Sequence, residues 1–114
     1  MIVARFYFNK PGEITGFILE GHGELEYNGK KIIKGNDILC AGVSSLVQGI
    51  LIGLEYVALV SPKIIKKESG LLECIINNST DEKAIVLLKT LLLSLKDIEK
   101  QYPDNLKIEQ ITEI

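Results

Sequence analysis

The feature that most constrains the fold is the long apolar run at residues 38–60, whose one charged side chain is Glu55. A helix that is apolar around most of its circumference is buried on two sides. We therefore expect this helix to pack on a sheet with one side and on a second helix or a second subunit with the other. A membrane span is the alternative, since the run is long enough to cross a bilayer. Gly42, Gly49 and Gly53 interrupt the run and argue against a span.

The segments on either side of this run predict strands and one more helix. Alternating apolar residues rich in β-branched and aromatic types, separated by turn sequences, indicate antiparallel hairpins. A leucine stripe at helical spacing indicates the second helix, with cap candidates at residues 78–81 and Pro103 closing it. Strands are predicted at residues 2–8, 13–20, 63–67, 71–77 and 106–111. The predicted fold is α+β in the order β-β-α-β-β-α-β, a mostly antiparallel sheet of about five strands packed with two helices, as one domain at residues 1–114.

Composition narrows the class of protein. Thirteen Lys and Arg against fifteen Asp and Glu give a net charge of −2, which argues against direct nucleic-acid binding. No basic segment precedes an apolar stretch at the start, so we expect no signal peptide. Two cysteines without an export signal favour reduced thiols and a cytoplasmic location. One histidine and no Cys-x-x-Cys motif predict no metal site.

The candidate catalytic pair is His22 and Cys40. His22 follows a predicted strand and is the only histidine, while Cys40 opens the apolar helix. A helix N-terminus and a neighbouring imidazole both favour the thiolate, which is the nucleophilic form of cysteine. Asn36 or Asp37 is the expected N-cap. The alternatives without catalysis are a buried structural cysteine and a surface or capping histidine.

Supporting roles are predicted for the neighbours of this pair. The N–H groups of Cys40 and Ala41 should point outward, where they could hold an oxyanion. Gly21 and Gly23 flank His22 and would let a substrate backbone approach closely. The second thiol, Cys74, lies in mid-strand and is predicted to be structural.

These motifs resemble the Prp family of bacterial ribosomal-processing cysteine proteases. The Gly21-His22-Gly23 triplet, a loop, and then Gly-x-Asp-Ile-Leu-Cys-Ala-Gly-Val-Ser at residues 35–44 look like the family signature. A Lys-Lys-Glu-Ser-Gly turn at residues 66–70 and a late helix ending in Tyr-Pro are also similar to the family, so the resemblance covers nearly the whole chain. The loop at residues 24–34 is longer than in many members. The signature residues matched are Asp37, Ile38, Leu39, Cys40, Ala41 and Ser44.

The resemblance implies an endopeptidase that removes the N-terminal extension of a large-subunit ribosomal protein. It implies that Cys40 attacks the scissile carbonyl and that His22 takes the thiol proton, with no cofactor. Asp37 would either orient His22 or cap the helix, and capping is the more economical role. Ser44 would touch substrate or His22, unless its hydroxyl bonds to the preceding helical turn. The alternatives are a non-enzymatic ribosome-associated binding module and a thiol-dependent transferase or hydrolase acting on a small acyl substrate.

Two further expectations concern a loop and an assembly. The Asn28-Gly29 turn, flanked by Leu25 and by Ile32 and Ile33, predicts either a small extra hairpin or a flap at residues 24–34 that becomes ordered on substrate binding. The apolar helix should also leave uncovered apolar surface, which favours a homodimer. The resemblance implies a dimer too. We expect no membrane partner, because glycines interrupt the apolar run. The surplus is predicted around Leu46, Ile50, Leu54 and Val57.

Overall fold

The computed structural model describes residues 1–22, 26–27, 30–31, 37–68, 70–76 and 80–112. Its elements follow the predicted order, with a small additional hairpin between the second strand and the first helix. They are β1 (Ile2–Phe8), β2 (Ile14–Gly21), β3 (Glu26–Tyr27), β4 (Lys30–Lys31), α1 (Ile38–Ile52) continued by a π-helical turn (Gly53–Val57), β5 (Lys63–Glu68), β6 (Leu71–Ile75), α2 (Glu82–Gln101) and β7 (Leu106–Thr112).

The main sheet has five strands in the order β5-β6-β2-β1-β7. Each neighbouring pair is antiparallel except β1 and β7, which run parallel. The predicted α+β fold is therefore confirmed, with one parallel pair that makes the sheet mixed. That pair arises because α2 carries the chain across the sheet between β6 and β7, and such a crossover returns the strand beside β1.

One face of the sheet packs on both helices and forms a single core. Alternation along β1 buries Ile2, Ala4 and Phe6, and the Phe6 ring lies 5.8 Å from the Phe17 ring of β2, measured between centroids. The helices contribute residues at helical spacing to the same cluster. These are Leu39, Val43, Val47 and Ile50 from α1 and Ala84, Leu88, Leu91, Leu92 and Leu95 from α2.

The first helix ends earlier than predicted. Leu59 adopts a left-handed conformation with φ of 57°, and the N–H of Val60 donates to the carbonyl of Leu54 at 2.8 Å. This turn sends Val60 back into the core, where its side chain is 2% exposed. The prediction of a helix through residue 60 is wrong because Val60 continues the apolar run as a buried loop residue. Hydrophobicity alone cannot separate that case from another helical turn.

The surplus apolar surface of this helix includes only one of the four residues predicted for it. Ile50 and Leu54 are 7% and 0% exposed and belong to the core, and Leu46 is half-buried against it; of the predicted four, Val57 alone is exposed. The prediction failed because the chain's own sheet and α2 cover that side. Gly53 permits this, since a methyl group there would lie 3.2 Å from the Leu87 side chain of α2.

An exposed stripe runs along the opposite side of the same helix, and we call it the α1 outer face. At 100° per residue its α-helical members span about 80° of the helix circumference, and Tyr56 follows them in the π-helical turn. The members are Ile38, Gly42, Ser45, Gly49, Ile52 and Tyr56. The three large side chains are 70%, 57% and 70% exposed, and a methyl group on either glycine would meet nothing within 4 Å. By length and composition the segment Ile38–Val57 could cross a membrane, as could many core helices, and its most apolar window is 28% buried. The apolar surplus is therefore real, but it lies on the outer face.

Candidate active site

The end of β2 places His22. Gly21 is the last residue of the strand, pairs with Ile2 of β1 and has φ of +91°. Its N–H donates to the carbonyl of Gly70 at 2.8 Å, so the strand end is fastened to the turn between β5 and β6 as well. A left-handed φ is a conformation that glycine adopts without steric cost. Gly21 therefore supplies the left-handed backbone conformation that ends β2 directly before His22.

The imidazole of His22 is half-buried and lies against Gly70. A methyl group built on Gly70 would be 2.9 Å from Nε2 and 3.1 Å from Cε1 of the ring. Gly70 has φ of +75°, so its backbone also requires glycine. Gly21 thus precedes the histidine in the chain, and Gly70 lies beside its ring.

Cys40 lies in the first turn of α1, where Asp37 is the N-cap. The Oδ1 atom of Asp37 accepts hydrogen bonds from the N–H of Leu39 at 2.9 Å and from the N–H of Cys40 at 3.1 Å. Aspartate in an extended conformation before a helix is a strongly preferred cap. Asp37 is 3% exposed, so this cap is buried at the helix start. Of the two roles considered for Asp37, the structure shows the capping one.

The predicted oxyanion donors are wrong. The N–H of Cys40 is used by the Asp37 side chain, and the N–H of Ala41 donates to the backbone carbonyl of Asp37 at 3.0 Å. Both groups point into the helix start. The physical reason is position: the N-cap side chain satisfies the N–H groups two and three residues on, and the fourth already begins the helical ladder.

Two of the other predicted site residues, Ala41 and Ser44, lie in the first turns of α1. The side chains of Ala41 and Ser44 are exposed, and Ser44 is one turn after Cys40. Gly23, Asn36, Leu25, Ile32 and Ile33 fall outside the described residues, and so does most of the predicted flap. The extra hairpin is confirmed where it is described, because β3 pairs with β4 in antiparallel register. The contact between the His22 imidazole and the Cys40 thiol stays a prediction.

The two thiols have different environments. Both cysteines lie in the described part of the chain, and neither forms a disulfide. Cys40 is half-buried and packs against the edge of the core. Cys74 is 1% exposed in mid-strand, and burial raises the pKa of its thiol from 9.0 to about 11. Cys74 is therefore a buried hydrophobic group that stays protonated at neutral pH.

The raised pKa of Cys74 predicts a loss of stability at high pH. The unfolded thiol ionises near its ordinary pKa of 9.0, whereas the folded thiol stays neutral until about 11. The unfolded chain therefore loses its proton first, and stability should fall between these two pH values by roughly 2–3 kcal/mol. Urea unfolding across this range measures the fall. In Cys74→Ala the part due to this thiol should vanish, and an equally steep fall in that variant would contradict the prediction.

Gly70 is the residue near the site that local sequence reasoning missed. The turn at residues 66–70 was recognised as a turn between strands, but its place beside His22 depends on the pairing of β2 with β6. That register is Glu20 with Leu71, which brings Gly70 opposite Gly21. Gly70 could have been identified as a neighbour of His22 only by predicting that β2 pairs with β6 in this register. Within the described residues, no group of three or more His, Cys, Asp or Glu side chains is arranged to hold a metal ion.

Comparison with known proteins decides the family. The family model described as cysteine protease Prp matches residues 1–107. The chain belongs to the Prp family of cysteine proteases. The family resemblance seen in the signature residues is thereby confirmed, and so is the assignment of the chain as a cysteine protease.

Relatives of the chain in this family match it over nearly their whole length. The ribosomal processing cysteine protease Prp of Staphylococcus aureus strain Mu50 is 30% identical over 110 residues, covering 95% of this chain and 97% of that protein. The Prp of Bacillus subtilis strain 168 is 29% identical over 113 residues, covering 95% and 96%.

Solved structures agree with the fold. The crystal structure of the S. aureus ribosomal processing protease Prp with a covalently linked product peptide has a TM-score of 0.84 and 26% identity, covering 96% of this chain and 99% of that one. The complex of the S. aureus protease with a substrate peptide has a TM-score of 0.82 and 25% identity, with the same coverage. The arrangement of strands and helices described above is therefore the Prp fold.

Proposed function

We propose that this protease removes the N-terminal extension of a large-subunit ribosomal protein in the cytoplasm, with Cys40 as the nucleophile and His22 as the base. The observation that carries the assignment is the contrast between the two thiols. A cysteine protease needs an accessible thiolate, and Cys74 is buried with a pKa raised to about 11. Cys40 is the remaining cysteine in the sequence, and His22 is the single histidine.

The proposed reaction follows from these groups. The His22 imidazole takes the proton of the Cys40 thiol, and the thiolate attacks the scissile carbonyl. The C–N bond then breaks, and the imidazolium gives its proton to the leaving amine while the acyl group stays on sulfur as a thioester. Water, deprotonated by His22, hydrolyses the thioester and restores the thiol. The positive end of the α1 dipole favours the thiolate in the first step.

The experiment that tests the function is cleavage of the precursor. The protein is incubated with a large-subunit ribosomal protein that still carries its extension, and the products are analysed by mass spectrometry. The expected result is a single cut that releases the extension as an intact peptide. An uncut precursor would contradict the proposal that this ribosomal protein is the substrate. Transfer of a small acyl group from a thioester without peptide cleavage would favour the transferase alternative, and membership of a protease family already disfavours the non-enzymatic binding module.

We also propose that the chain forms a two-fold homodimer through the α1 outer face. The large side chains at its two ends, Ile38 at one and Ile52 with Tyr56 at the other, are 70%, 57% and 70% exposed. Between them, Gly42 and Gly49 leave the helix backbone uncovered, with nothing within 4 Å of a built methyl group. Two such helices can approach closely at the glycines and cover each other's apolar ends. A surface of this kind on both subunits is self-complementary in a two-fold dimer.

A charge placed on the outer face should separate the subunits. Gly49→Glu puts a carboxylate at the centre of the proposed contact, while in the isolated subunit the side chain has open space. Sedimentation equilibrium at micromolar concentration should then give the mass of one chain for the variant and of two for the wild type. Leu93→Glu is the matched control, because it adds the same charge at a 63% exposed position on α2. A wild-type mass of one chain, or a dimeric Gly49→Glu variant, would contradict the proposed interface.

A further inference from the structure

The turn between β5 and β6 approaches His22 because of strand register. In the pairing of β2 with β6, Glu20 lies opposite Leu71, so the next pair outward is Gly21 with Gly70. The hydrogen bond from the Gly21 N–H to the Gly70 carbonyl, at 2.8 Å, extends the ladder to this pair. The residue after Gly21 is His22. The backbone of the turn is therefore held at a fixed distance from the base.

Gly70 also contacts the imidazole itself. The position of a built methyl group is 2.9 Å from Nε2, 3.1 Å from Cε1 and 3.7 Å from Cδ2, and these three ring atoms are its nearest neighbours. The Nε2–Cε1 edge of the ring thus occupies the space that a β-carbon on Gly70 would need. A larger residue could not occupy this position without displacing the ring, since carbon atoms do not approach a ring nitrogen this closely.

We propose that Gly70 is a positioning residue for the catalytic base, because the absence of a β-carbon there lets the His22 imidazole take the orientation seen in the structure. The proposal rests on the proposed role of His22 in proton transfer. A ring held from its Nε2–Cε1 edge cannot swing towards the β5–β6 turn. Gly70 thereby limits the orientations that the proposed base can adopt. Holding a base in one orientation contributes to rate because small displacements of reacting groups are costly.

The chain contains a matched control for this glycine. Gly12 lies in the turn between β1 and β2 and has φ of +93°, close to the +75° of Gly70. A methyl group on Gly12 would meet nothing within 4 Å. Alanine at either position therefore pays a similar backbone strain, but only alanine at residue 70 pushes on the imidazole.

The first readout is independent of activity. Because His22 is the only histidine, its Cε1–H signal in a proton–carbon NMR spectrum is unambiguous. Gly70→Ala should shift this signal, whereas Gly12→Ala should leave it at the wild-type position. Gly70→Ala and Gly12→Ala should both unfold about 4–8 °C below the wild type, because alanine in a left-handed conformation costs about 1 kcal/mol. A third variant, Gly70→Asn, tolerates the left-handed backbone and keeps the added carbon, so it should restore much of the melting temperature without restoring the His22 signal.

The second readout is the rate at which Cys40 is alkylated as a function of pH. In Gly70→Ala and Gly70→Asn the acid limb of this profile should move, and kcat for precursor cleavage should fall roughly tenfold to a hundredfold with KM nearly unchanged. Gly12→Ala should match the wild type in both. A wild-type His22 signal and pH profile in Gly70→Asn would overturn the proposal while leaving the protease function intact. Absence of cleavage by the wild type would instead count against the proposed function, and the NMR comparison would still decide the role of Gly70.

Discussion

Replacing Cys40 by alanine is expected to abolish cleavage of the ribosomal precursor, with a fall in rate of roughly four orders of magnitude. Alanine removes the nucleophile. The thiol that remains, Cys74, does not ionise at neutral pH, because burial raises its pKa to about 11. The fold should survive the change. Cys40 is half-buried in the first turn of α1, alanine is a good helix former, and the Asp37 cap binds the backbone N–H, which alanine retains.

The matched variants for this prediction are Cys40→Ser and Cys74→Ser. Serine at residue 40 keeps the size of the side chain but supplies a far weaker nucleophile at neutral pH, so it should be as inactive as alanine. Serine at residue 74 should leave most of the activity and cost about 1–3 kcal/mol of stability, because it buries a hydroxyl where the thiol is 1% exposed. Mass spectrometry of the cleavage products and urea unfolding measure the two effects. Full activity in Cys40→Ala would end the assignment of Cys40 as the nucleophile.

What the sequence predicts well is local. The order of strands and helices follows from periodicity and turn residues within short windows. The two helix starts are predicted to within a few residues, and the structure shows Asp37 and Asp81 as the N-caps, each accepting two backbone hydrogen bonds. The burial of Cys74 follows from its place in an apolar strand. In each case the residues that decide the structure are neighbours in the chain.

What the sequence does not predict depends on contacts between distant segments. Leu54 was assigned to a free apolar surface, but it is fully buried beneath the chain's own elements, and the exposed surface is on Ile52 and Tyr56 instead. Helical periodicity gives the angle between these residues but not which angle faces the sheet. Gly70 was similarly invisible as a neighbour of His22, because only the register of β2 with β6 brings the two together.

The same dependence on long-range contact makes Gly21 the most sensitive glycine of the site. Alanine there would combine a left-handed backbone, φ +91°, with a methyl group that overlaps the carbonyl oxygen of Met1. The start of β1 cannot simply move aside, because Ile2 donates its N–H to the carbonyl of Asn105 at 2.8 Å and pairs with Leu106 of β7. We expect Gly21→Ala to lose about 3 kcal/mol of stability, of which about 1 kcal/mol is backbone strain and the rest is the clash.

Urea unfolding and precursor cleavage measure the consequences of this change for fold and site separately. Gly12→Ala is again the control, since it carries the same kind of strain, φ +93°, in open space. It should lose about 1 kcal/mol and keep its activity. In Gly21→Ala the strand end that aims His22 must shift, so the folded protein should cleave the precursor at least tenfold more slowly than the wild type, in line with the cost of small displacements of a catalytic group. Equal losses of stability in the two variants would mean that Met1 and Ile2 yield to the added methyl group, and the close packing of β1 against the end of β2 would then not be what fixes His22.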